Sequence, residues 1–130
     1  MDNQTKLEYG RVYHIYQRGN NREPIFFEPE NYRFFLAKYV QFIEPVAKTY
    51  AYCLLNNHFH LCIKTRTVAE QEGYHQTYDF LEKSYVSATT PFKPLSPSNQ
   101  FRKLFISYAK AMNKCYGRTG SLFENRFGRS

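Results

Sequence analysis

Two periodicities alternate along this chain, and their order predicts an α+β domain in which helices pack on one face of an antiparallel sheet. Segments at Tyr9–Arg18, Tyr50–Arg66 and Ser121–Phe127 read as strands, with period-2 alternation or short apolar runs bounded by turn residues. Two longer segments, opening near Pro29 and near Ser98, repeat apolar residues at helical spacing. A chain of 130 residues has room for a single core, so residues 1–130 are read as one domain.

Taken in order, Tyr9–Arg18 (YGRVYHIYQR) places Val12, His14 and Tyr16 on one face and Arg11, Tyr13, Ile15 and Gln17 on the other. Large residues on both faces mark a central strand. Gly19, Asn20, Asn21 and Arg22 then signal a turn, because Gly and Asn tolerate left-handed conformations. Pro29 and Glu30 open the first helix, Pro being favoured at the first position and an acid in the first turn. Tyr32, Phe35, Leu36, Tyr39, Phe42, Ile43 and Val46 form its buried face, and Pro45 ends its regular part, leaving Val46–Thr49 as a last turn.

Tyr50–Arg66 reads as strand, polar turn, strand. Thr67–Asn99 is the least regular region and is taken as an irregular insertion. Phe80, Leu81 and Tyr85 suggest a short helix within it; Pro91, Pro94 and Pro97 stop anything longer, and Ser87–Ser98 reads as a mobile surface excursion. Ser98 or Asn99 caps a second long helix running to about Tyr116, with Phe101, Leu104, Phe105, Tyr108, Met112 and Cys115 on its apolar face. Gly117 and Gly120 end it before the last strand. Strand, helix, two strands, helix, strand is the split βαβ order of a ferredoxin-like sandwich, which leaves one sheet face open for a ligand.

Composition narrows the partners. The net charge is +7, and Arg102–Ser130 holds seven basic residues (Arg102, Lys103, Lys110, Lys114, Arg118, Arg126, Arg129) against one acid, Glu124. Twelve Tyr and twelve Phe accompany them. A basic, aromatic-rich surface suits single-stranded nucleic acid, whose bases stack on rings while cations neutralise phosphates; a solvated basic helix kept for solubility has the same composition. No apolar run of about 18 residues and no signal-like start is present, so a soluble, unexported, cytoplasmic chain with no membrane partner is expected. Cys53, Cys62 and Cys115 sit in apolar-periodic segments without CxxC spacing and read as reduced, buried thiols.

The residues with the most chemistry are His58 and His60. Their i, i+2 spacing on a strand directs both imidazoles to one side, with Phe59 on the other, and two such imidazoles can share a divalent ion. Two hydrogen-bonded histidines on a solvent face have the same spacing. His14 on the first strand reads as a satisfied sheet histidine or a member of that site, and His75 carries no signal.

YCLLNNHFHLCIK (Tyr52–Lys64) resembles the motif of the HUH single-strand endonucleases, in particular the single-tyrosine transposases and their REP-associated relatives. These typically show a hydrophobic strand, Met-Pro-Asn, then His-hydrophobic-His. Leu55 and Asn56 stand here where Met and Pro are usual, whereas Asn57, His58, Phe59 and His60 match. Similarity extends to YHIYQRGNNREPIFF (Tyr13–Phe27) and SYAKAMNKCYGRTGSLFENRF (Ser107–Phe127), and so to nearly the whole chain.

The resemblance implies an enzyme that cuts and rejoins hairpin-bearing single-stranded DNA, with Mg²⁺ or Mn²⁺ held by His58 and His60 and a tyrosine as nucleophile. Asn57 would hold the turn or hydrogen-bond behind the metal ligands. Arg18, Asn20, Asn21 and Arg22 would grip DNA from the first loop, or form an ordinary solvated turn; Lys103, Lys110, Lys114, Arg118 and Arg126 supply the remaining basic surface. Relatives of this type commonly act as homodimers. Their nucleophile lies on a helix after the segment matching Leu122–Arg126, so this chain is read as truncated, with the nucleophile and third metal ligand beyond Ser130. Tyr108 and Tyr116 are the weak substitutes: Tyr108 shares a face with Phe105 and Met112 and reads as core, and Tyr116 suits a phosphate contact. The alternative function is a catalytically inactive hairpin-binding remnant. An RNA binder of the RRM sort lacks its sheet motif here, and a metal hydrolase lacks a carboxylate at a nominated spacing.

Overall fold

The computed structural model describes residues 6–82 and 92–130. Its elements are β1 (Val12–Arg18), α1 (Pro29–Ile43), β2 (Ala47–Leu54), β3 (His58–Thr65), α2 (Val68–Glu82), α3 (Pro97–Tyr116) and β4 (Gly128–Arg129). The strands form one sheet in the order β2-β3-β1-β4, every neighbouring pair antiparallel. Each helical crossover skips one strand position, β1-α1-β2 enclosing β3 and β3-α3-β4 enclosing β1. This is the α+β, ferredoxin-like split βαβ arrangement expected from the order of periodicities.

The alternation of β3 decides where the core lies. Phe59, Leu61, Ile63 and Thr65 are buried, while His58, His60, Cys62 and Lys64 are half-buried on the other face. α1 and α3 cover the apolar face with Phe35, Tyr39 and Ile43 from α1 and Phe101, Leu104, Phe105, Tyr108 and Met112 from α3. Phe59 sits between the helices, its ring 5.2 Å from Phe35 and 5.8 Å from Phe105. Large apolar side chains of this kind each stabilise the fold by about 1.5–3 kcal/mol on full burial. Tyr108 is wholly buried, and its hydroxyl donates to the Ile25 carbonyl oxygen at 2.6 Å, so its one polar group is satisfied.

Three departures from the sequence reading have local causes. β2 begins at Ala47, so most of Val46–Thr49 joins the sheet instead of prolonging α1; Val46 and Ala47 are fully buried, and that burial outweighs helix continuation past Pro45. The region expected to be irregular contains α2. Thr67 Oγ1 accepts from the Glu70 N–H (3.1 Å) while a Glu70 carboxylate oxygen accepts from the Thr67 N–H (3.0 Å), a reciprocal cap encoded by Thr-Val-Ala-Glu. The remainder expected there, from 83 to 91, lies outside the described residues. α3 starts at Pro97 behind a Ser96 cap, not at Ser98 or Asn99, and Ser98 instead accepts from the buried Leu7 N–H at 2.9 Å. Cys115, expected on its apolar face, is exposed at the helix end, Cys53 is exposed and Cys62 is half-buried, so the cysteines are not core thiols.

The final strand is also shorter than Ser121–Phe127 suggests. Leu122, Phe123 and Phe127 all enter the core, which no alternating strand permits, and pairing is confined to a bridge at Phe123 and to Gly128–Arg129. The carbonyl oxygen of Leu122 accepts from Asn20 (2.8 Å) and the Glu124 N–H donates to Arg18 (3.0 Å), which ties this segment to the loop after β1.

Candidate functional site

Two short connections meet at one end of the sheet. The β2–β3 turn is closed by the Leu55 N–H donating to the His58 carbonyl at 2.9 Å, leaving Asn56 and Asn57 at its tip. Their carbonyl oxygens point at the loop after β1: Asn56 accepts from Ile25 (2.7 Å) and Phe26 (3.1 Å), and Asn57 from Gly19 (2.9 Å). That loop is a 3₁₀ turn at Asn20–Arg22, with Asn21 and Arg22 in the left-handed region at φ 56° and 60°. Only glycine fits at position 19, because a Cβ there would lie 1.9 Å from the Glu23 carbonyl oxygen.

The β1–β3 register sets Tyr16 opposite His60 and Arg18 opposite His58. A groove of about 330 Å³ results, lined by Tyr16, Gln17, Arg18, Arg22, Asn57, His58, Phe59 and His60. The His58 and His60 rings stand 5.3 Å apart and nearly perpendicular, at 88°. Asn57 Oδ1 is 2.8 Å from His58 Nδ1; an amide oxygen accepts, so that nitrogen carries the proton and Nε2 keeps its lone pair. Tyr16 lies across Gly128 of β4, where a Cβ would fall 1.8 Å from the Tyr16 Cζ, so the absence of a side chain at 128 admits the ring.

Burial and the neighbouring cations and imidazoles act together on His60. Desolvation is the largest cause of its lowered pKa, followed by His14, His58 and Arg18, all of which disfavour the charged ring. Neutral imidazoles with open nitrogens are what a divalent ion requires. Among the described residues no three His, Cys, Asp or Glu side chains converge as a metal-binding group. An ion held here would have His58 and His60 as its protein ligands and would take its remaining positions from water and phosphate oxygens.

The basic residues nominated from sequence divide into separate regions. Arg18 and Arg22 line the histidine groove, and Asn20 and Asn21 build the turn beside it. Lys103, Lys110 and Lys114 are exposed on α3, which lies under the opposite face of the sheet, so they do not line the groove. Arg118 donates to Asn113 Oδ1 at 2.5 Å and pairs with Glu23 at 3.5 Å, beside the loop after β1. Arg126 lines a second groove of about 580 Å³, which Lys6, Arg102 and Arg129 also line.

Neither candidate tyrosine reaches the histidines. Tyr108 is in the core, and burial raises its pKa well above the usual phenol range. Tyr116 donates to a Glu28 carboxylate oxygen at 2.6 Å, and that bond raises its pKa; the hydroxyl read as a phosphate contact is engaged with an acid. His14 has the hydrogen-bonded partner expected of a satisfied sheet histidine, and that partner is His60; Tyr16, which carried no expectation, lies beside both. The shared face of His14 and Tyr16 was visible in the alternation of β1, but the register that carries them to His60 was not.

The backbone has a known counterpart. The fold matches that of a tyrosine transposase. The solved structure of a REP-associated tyrosine transposase bound to a REP hairpin superposes with a TM-score of 0.57 at 13% identity. The match covers 98% of this chain and 58% of that one, so the chain spans less than two thirds of the length of its structural neighbour. At this identity the likeness establishes a shared fold. No protein-family model matches the chain, and no curated protein matches it either. Among the described residues no helix is long and apolar enough to cross a membrane.

Proposed function

We propose that this chain is a transposase-type DNA strand-cleaving and rejoining domain that binds hairpin-bearing single-stranded DNA and uses Mg²⁺ or Mn²⁺ at His58 and His60. The observation that carries the reading is the convergence of both histidines with Arg18, Arg22 and Asn57 in one groove on the open sheet face. The fold shared with a hairpin-bound tyrosine transposase supports it. When bound, the metal supplies Lewis-acid polarisation of a phosphate oxygen. The chain's own residues would hold the strand and the ligands: Arg18 and Arg22 hold the strand by its phosphates, and Asn57 holds His58 in the tautomer that leaves Nε2 unprotonated; cleavage itself further requires the tyrosine nucleophile that the resemblance implies, a role that neither Tyr108 nor Tyr116 is placed to fill. Two copies acting together belong to the same reading, and light scattering with and without DNA reads that arrangement.

A second reading, hairpin binding without cleavage, is favoured by the placement of Tyr108 and Tyr116 away from the groove. One denaturing gel separates the two. Labelled hairpin-bearing single-stranded DNA is incubated with the protein in Mn²⁺ or in EDTA and scored for nicks and protein-linked label. Metal-dependent nicking that disappears in His58→Ala and His60→Ala selects the cleaving reading. Binding without nicking selects the second reading, and absence of binding removes both.

A further inference from the structure

His14 is the closest partner of His60 and comes from a different strand. Its Nε2 lies 2.9 Å from His60 Nδ1. The rings are 16° from parallel with centroids 5.0 Å apart, and a nitrogen separation this short is below face-to-face van der Waals contact. The contact is therefore an edge-on N–H···N bond, in which one nitrogen donates and the other accepts. The His14 backbone is pinned on its outer side, its N–H donating to the Ser130 carbonyl (2.8 Å) and its own carbonyl accepting from Ser130 (3.0 Å). On the inner side the β1–β3 register fixes it opposite Cys62.

Only one of the two proton arrangements is compatible with a metal on His60 Nε2. If His60 donated no proton from Nδ1, its neutral ring would carry the proton on Nε2 and present no lone pair to the groove. The geometry points to His14 as a positioning residue: its Nε2 accepts the Nδ1–H of His60, which turns the His60 Nε2 lone pair toward a divalent ion. His14 does for His60 what Asn57 does for His58, each holding Nδ1 from behind. The pair of ligands is thus oriented by two unlike acceptors, an amide in the hairpin turn and an imidazole on the central strand. This inference rests on the metal reading of His58 and His60 proposed above.

Imidazole-nitrogen NMR spectra of the metal-free full chain test it, together with calorimetric titration of Mn²⁺ alone. In the parent, His60 is expected to be protonated on Nδ1. His14→Ala is expected to lose that tautomer preference and to weaken Mn²⁺ binding about 10-fold or more. His14→Gln, which restores an acceptor oxygen, is expected to recover both. Circular dichroism of each variant controls for folding. Three results overturn the inference alone: a parent His60 protonated on Nε2, a His14→Ala variant with unchanged tautomer and Mn²⁺ affinity, or Mn²⁺ seated on His14 Nε2. A parent that binds no Mn²⁺ overturns the metal reading and this inference with it.

Discussion

Phe59 and His60 are neighbours on β3, yet they belong to regions with opposite physics. On the helix side, Phe59 is fully buried among Phe35, Phe105 and Phe123, and neighbouring core positions are equally closed. On the open side, His58 and His60 are half-buried in a shallow groove and touch polar or titratable partners. The packed face carries the stability, because apolar burial scales with the area removed from water. The open face is a shallow surface, free to hold groups, such as an imidazole beside an arginine, that a close-packed core would penalise. One strand with period 2 separates the two tasks by a single residue.

If that division is right, substitutions on the two faces have unlike effects on stability. The largest loss is expected for Phe59→Ala, about 3–5 kcal/mol in urea denaturation, from lost transfer energy and the cavity left between α1 and α3. A loss under about 1 kcal/mol would mean that the helices do not depend on β3 for their core.

Tyr39 offers a pH-resolved probe of the same side. Burial raises its pKa from 10.0 to about 12, and its hydroxyl bonds Thr49 Oγ1 at 2.5 Å. A folded-state pKa above the unfolded one means that its contribution is complete below pH 10 and is lost as pH rises toward about 12. Tyr39→Phe should remove part of this alkaline loss, the remainder including Tyr108 and Tyr116, whose pKa values are also raised. Identical stability profiles for parent and variant would refute the assignment.

Smaller again is Thr67→Ala, expected to cost about 1 kcal/mol through loss of the α2 cap and to lower helical circular dichroism. The smallest effect belongs to the open face: His58→Ala and His60→Ala should each change stability by less than about 0.5 kcal/mol while abolishing Mn²⁺ binding. A histidine variant that unfolds the protein would erase the contrast between the faces.

Much of the fold was legible because its signals are local. Pro29 at the start of α1 and helical spacing through α1 and α3 need only neighbouring residues to be read. α2 was not read, although Thr67 and Glu70 carry its local capping signal, because its weak apolar periodicity hid it before the proline-rich stretch that follows. The shortened β4 was not legible, since Leu122, Phe123 and Phe127 leave the strand pattern only because a core is waiting for them.

The site shows the same boundary. Local alternation alone determined that His58 and His60 face one way and Phe59 the other, and that β1 presents Val12, His14 and Tyr16 together. Only the tertiary structure decided that His14 meets His60, that Arg18 and Arg22 share the histidine groove, and that the α3 lysines lie under the other face. The reason is that strand register and helix placement depend on contacts between residues far apart in the chain. His14 and His60 are 46 positions apart. A periodicity of two or 3.6 residues fixes a direction within one element and is silent about its neighbour.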